Sequence, residues 1–106
     1  MVQPERSGKL VRDRIPDIIR EAGGDPRTTL LGDEDYTEAL RLKLLEEVEE
    51  LLAASAEKRI EEVADVVEVL EAIVQDYGLD WDEVEAERLR KRHERGGFEG
   101  RVWLEQ

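Results

Sequence analysis

"LLEEVEELLAASAEKRIEEVADVV", residues 44–67, decides how this chain is read. Two apolar runs flank a short break at Ser55-Ala56, and both runs repeat at helical rather than strand spacing. At roughly 100° per residue, Leu40, Leu44, Val48, Leu51 and Leu52 share one face of a helix predicted from Asp35 to about Ala54. Val63, Val66, Val67, Leu70, Ile73, Val74 and Tyr77 share a face of a second helix, from about Glu57 to Tyr77. A connection this short makes the two helices antiparallel neighbours.

The same stretch is crowded with carboxylates, which repel one another. Glu47 and Glu50 lie one turn apart along a border of the first stripe, and Glu62 and Asp65 occupy the matching border of the second. Glu49, Glu61, Glu68 and Glu71 point away from the predicted core and serve solubility. Packing the stripes together brings the four border carboxylates to one edge of the core. Two readings stand at this point. With 28 acidic residues in 106, such spacings arise by chance and can be plain solvated faces. Alternatively, carboxylates beside a core lose hydration and call for a compensating cation. Oxygen-only donors suit a hard ion, Mg²⁺ or Mn²⁺, that keeps waters and takes phosphate oxygens.

Working outward, "LVRDRIPDIIREAGG" predicts a short helix, with Asp13 as cap, Pro16 in the first turn and Gly23-Gly24 as the stop. Residues 1–9 read as frayed, and Thr28 to Leu31 as a briefly extended part of the connector. Asp35 with Glu38 has the spacing of a capping box. Asp80 with Glu83 starts a fourth helix that continues to about Arg95 before Gly96-Gly97. The tail "FEGRVWLEQ" is expected to be extended and to lay Phe98 and Trp103 on the body. The fold expected is all-α: one domain over residues 1–106, an antiparallel bundle of about four helices.

Composition narrows the partners. A net charge of −12 repels nucleic-acid backbones and anionic membranes. No cysteine is present, which removes disulfides and thiolate metal sites. No apolar run of membrane length or signal-type segment occurs, so the expected location is the cytoplasm. Neither an EF-hand loop nor a Walker phosphate loop is found.

Three blocks, in order, carry a resemblance. "KLVRDRIPDII" near the start, the E-E-x-x-E of Glu46, Glu47 and Glu50 with the E-x-x-D of Glu62 and Asp65, and "KRHERGGF" near the end resemble the MazG-like all-α nucleoside triphosphate pyrophosphohydrolases. The closest branch in pattern is the small phosphoribosyl-ATP pyrophosphohydrolase-like one, and the resemblance covers most of residues 9–104. It implies Mg²⁺ held by Glu47, Glu50, Glu62 and Asp65, with Glu46 as a further ligand or as the group that orients water. It also implies cleavage of a nucleotide between its α- and β-phosphates, in a homodimer or homotetramer. The chain lacks the extra helical material of larger members, which leaves the substrate open.

Phosphate would then be met by basic side chains. Lys9, Arg12 and Arg14 lie in the first block, Lys43 precedes Glu47 by one turn, and Lys91, Arg92 and Arg95 end the fourth helix. Each has a simpler role available, as a helix-end cation or the partner of a surface acid. His93 reads as exposed, and Trp81 and Trp103 as core or interface anchors. A second function class therefore remains: a non-catalytic helical oligomer or adaptor whose acidic edge binds a cation or stays wet.

Overall fold

The computed structural model describes residues 8–105, and the expectation that residues 1–9 are frayed falls almost wholly outside them. The described residues form four α-helices and no strand. They are α1 (Ile15–Glu21), α2 (Asp33–Ala53), α3 (Arg59–Asp76) and α4 (Trp81–Arg95), with a single 3₁₀ turn at Ala56–Lys58. The chain divides into two compact units, residues 1–73 and 74–106, and α3 continues across the division.

In the first unit the α2–α3 hairpin is the framework. Ala54 and Ser55 take extended backbone angles, which breaks the helix. The Glu57 carboxylate, bonded by its own backbone N–H and by the Ser55 hydroxyl, is held below its ordinary range and helps restart the chain as the 3₁₀ turn. α1 follows the same logic at its end. Gly23 N–H reaches Arg20 O at 3.0 Å and Gly24 N–H reaches Ile19 O at 2.9 Å, with Gly23 at a φ of 93° that a side chain would strain.

Several local expectations change. α2 begins at Asp33, two residues before the predicted start, with Gly32 as its cap residue. Asp35 therefore lies within the first turn of α2 and not at the cap of the expected Asp35/Glu38 box, and the Glu38 carboxylate pairs with Arg41 one turn on at 2.6 Å. Arg14, not Asp13, occupies the cap position of α1, without a side-chain bond. Thr28 to Leu31 contain no strand.

The larger correction concerns which face turns inward. The predicted stripe of α3 is split: Val66, Ile73 and Val74 are half-buried, but Val63, Val67, Leu70 and Tyr77 are exposed. The inward face runs instead through Glu62, Asp65, Val66, Val69, Ala72 and Ile73. In α2 it runs through Tyr36, Ala39, Leu40, Lys43, Glu47 and Leu51, while Leu52 is 81% exposed. Among the described residues only Ala39, Leu40 and Val69 are fully buried apolar side chains. The acids therefore lie within the packing face and not along its border.

The second unit carries the end of α3 and α4. Gly78, at φ 70°, closes α3 with N–H bonds from Gly78 to Gln75 O (3.0 Å) and from Leu79 to Val74 O (2.9 Å). Asp80 caps α4 as expected, its Oδ1 accepting the Asp82 N–H at 2.9 Å. α4 buries no residue. Phe98 and Trp103 do not lie on the body: they are 98% and 86% exposed. The segment instead folds back by charge, through the 2.6 Å Arg92–Glu99 pair.

Candidate metal centre

Glu47 is the residue around which the site is built. It projects from the inward face of α2 and is 94% buried, since only 6% of its surface remains exposed. A carboxylate this deep is costly unless its oxygens are paired. Oε1 is paired, with Lys43 Nζ at 3.1 Å, whereas Oε2 is buried without a hydrogen-bond partner. Across the hairpin, Glu62 and Asp65 of α3 each bring one carboxylate oxygen into the same space. One oxygen from each of the three acids lies within 4.8 Å of the other two. Glu62 Oε2 is likewise buried without a partner.

The fourth predicted ligand stands apart. Glu50 is exposed and is not a corner of this triangle, because one turn beyond Glu47 its carboxyl has left the packing face. It still feels the cluster. A side-chain hydrogen bond with Glu47 comes first, then the charge of Glu47, and Glu46 and Glu62 add to it, so that the Glu50 carboxyl is pushed above its ordinary range.

Three basic side chains answer the negative charge. Lys43, with 16% of its side chain exposed, sits one turn before Glu47 and bonds Glu46 at 3.4 Å as well as Glu47. Burial alone lowers its pKa, but the bonds to and charges of these two glutamates outweigh burial and raise it. Lys9 lies 3.7 Å from Glu46, and Arg12 Nη2 donates to Asp65 Oδ1 at 2.8 Å, joining positions 53 residues apart. Arg14 is the exposed cap residue of α1, and Lys91 and Arg95 belong to α4 in the second unit. His93 is exposed.

The donor set fits a hard divalent ion. It offers oxygen only, one donor is more than nine-tenths buried, and two buried oxygens have no partner. Glu47, Glu62 and Asp65 would hold the ion. What the sequence did not disclose is the depth of Glu47 and Lys43. The apolar stripes on both helices are wide enough to be rotated by about one residue step, roughly 100°, and still look amphipathic.

No family model matches the chain, and no solved structure is similar to it. A curated relative, an uncharacterized protein of Mycolicibacterium smegmatis, is 54% identical over 46 residues. That match spans 43% of this chain and 47% of the relative, so it covers less than half of either.

Proposed function

We propose that this protein is a metal-dependent nucleotide pyrophosphohydrolase that converts a nucleoside triphosphate or phosphoribosyl-ATP to a monophosphate and pyrophosphate. The observation that carries the reading is the acidic trio, with Glu47 buried, Glu62 and Asp65 half-buried, and Glu47 Oε2 and Glu62 Oε2 unpartnered within the packing face. A solvated acidic face does not bury its carboxylates, so depth favours the metal reading over a wet edge or a non-catalytic adaptor. The ordered blocks of the MazG-like pattern supply the reaction class.

Mg²⁺, or Mn²⁺, bound there would lower the pKa of a ligand water and neutralise phosphate charge. The chain's own residues do the remaining work. Lys43 holds Glu47 in one rotamer from within the helix, which fixes the direction of its free oxygen. Glu46, one-third exposed and joined to Glu47 through Lys43, would orient the attacking water. Lys9 and Arg12 present cations at the mouth, where a polyphosphate would lie, and Arg14 follows in the same segment.

Two copies complete this reading. Ile60, Val63, Val67, Leu70, Val74 and Tyr77 repeat at heptad spacing along α3, and all but Val74 are exposed. β-Branched residues at the 60, 67 and 74 positions suit a helix–helix seam. A homodimer buries this stripe, and a tetramer is its natural extension. For the described residues, no helix is long and apolar enough to cross a membrane.

The test is a hydrolysis screen with Mg²⁺ across standard and modified nucleotides and phosphoribosyl-ATP, reading monophosphate and pyrophosphate. Glu47→Gln is the control. Absence of any α–β cleavage, with correctly folded protein and bound metal, sinks the enzyme reading and leaves the adaptor.

A further inference from the structure

The segment before α1 is held to the hairpin in an unusual way. Residues 8–11 have no regular secondary structure, and Leu10 is the one half-buried apolar side chain between Gly8 and Arg14. What ties the segment down is charge: Lys9 on Glu46 and Arg12 on Asp65. Both cations are more than half exposed, so neither is fixed by packing. Asp65 is at the same time a corner of the trio. The guanidinium thus sits where the charge of a metal ion would act.

The charge balance points the same way. Glu46, Glu47, Glu50, Glu62 and Asp65 face Lys9, Arg12 and Lys43 among the described residues, leaving two negative charges unanswered. Two is the charge of a single divalent ion. The cations differ in how freely they can leave. Lys43 is rooted in α2 and partly buried, whereas Arg12 is on an irregular segment and exposed.

We propose that residues 8–14 are a strap linked to the acidic trio: Arg12 and a divalent cation compete for Asp65, and filling the trio releases Arg12 to bind an anion. The inference rests on the metal reading above and adds a second role to Arg12. In the metal-free protein it is the counter-ion of Asp65; in the loaded protein it is a ligand for phosphate oxygens. A doubly charged ion attracts Asp65 about twice as strongly as a guanidinium at equal distance. A guanidinium freed beside bound metal forms a fork suited to phosphate.

Mn²⁺ titration followed by electron paramagnetic resonance tests this directly, with wild type, Arg12→Gln and Arg12→Lys. Arg12→Gln removes the competitor and is expected to bind Mn²⁺ about five- to tenfold more tightly. Arg12→Lys keeps the charge and stays within about twofold of wild type. In wild type, Mn²⁺ should speed tryptic cleavage after Lys9 several-fold, and inorganic pyrophosphate added with Mn²⁺ should slow it again. In Arg12→Gln, pyrophosphate should bind the Mn²⁺-loaded protein at least tenfold more weakly. If wild type binds Mn²⁺ and Arg12→Gln binds it no more tightly, the strap proposal falls while the metal site stands. If wild type binds no Mn²⁺, both fall.

Discussion

Replacing Glu62 by glutamine is the sharpest probe of the trio. Glu62 is the corner that no described basic side chain reaches, and its Oε2 is buried without a partner. Its oxygen lies within 4.8 Å of those of Glu47 and Asp65. At an effective dielectric of about 20, each of these repulsions is worth roughly 3 kcal/mol before relaxation. Local movement, solvent and the nearby Lys43 and Arg12 take back much of that. A net gain of about 1–3 kcal/mol for Glu62→Gln in metal-free protein is the expected remainder. For a chain of 106 residues this raises the melting temperature by about 4 °C or more. Thermal denaturation followed by circular dichroism at about pH 8, with EDTA, reads it. In the same assay with Mn²⁺, wild type should gain about 2.7 kcal/mol at a hundredfold excess over Kd, and Glu62→Gln should gain little. A variant that melts below wild type in EDTA would refute the reasoning, because Glu62 would then be a structural acceptor and not a strained ligand.

Other outcomes follow from the same geometry. Glu47→Gln should abolish pyrophosphate release yet, unlike Glu62→Gln, lower metal-free stability by about 1–3 kcal/mol, because it takes the closest partner from the partly buried Lys43; denaturant midpoints measure this. Glu50 has its folded pKa raised by Glu47, so the folded state holds that proton more tightly than the unfolded chain does. Its contribution is therefore present at low pH and is lost as pH rises from 4.5 through the elevated folded value, and Glu50→Gln should flatten that part of a stability-versus-pH curve in EDTA. Val67→Lys, on the exposed stripe of α3, should convert a dimer to a monomer by light scattering while retaining helical content; an unchanged mass would remove that stripe as the interface.

The helices were legible in the sequence because their signals are local. Helical apolar spacing, the break before Glu57, the Gly23 and Gly78 stops and the Asp80 cap each act within a few residues, and the structure keeps the helices they delimit. The absence of cysteine likewise removed disulfides and thiolate metal sites without any coordinates. The rotation of each helix was not legible. On α3 the apolar residues cover so wide an arc that either half can face inward, and only packing against α2 selects the half containing Glu62, Asp65 and Val69. That choice decides the site, since it buries Glu47, sets Glu50 outside the triangle and leaves Val63, Val67 and Tyr77 open to solvent. The Arg12–Asp65 pair is equally a tertiary fact, because no sequence period links residues 53 positions apart. Sequence fixes which faces a helix has; contact with its neighbour fixes which of them is buried.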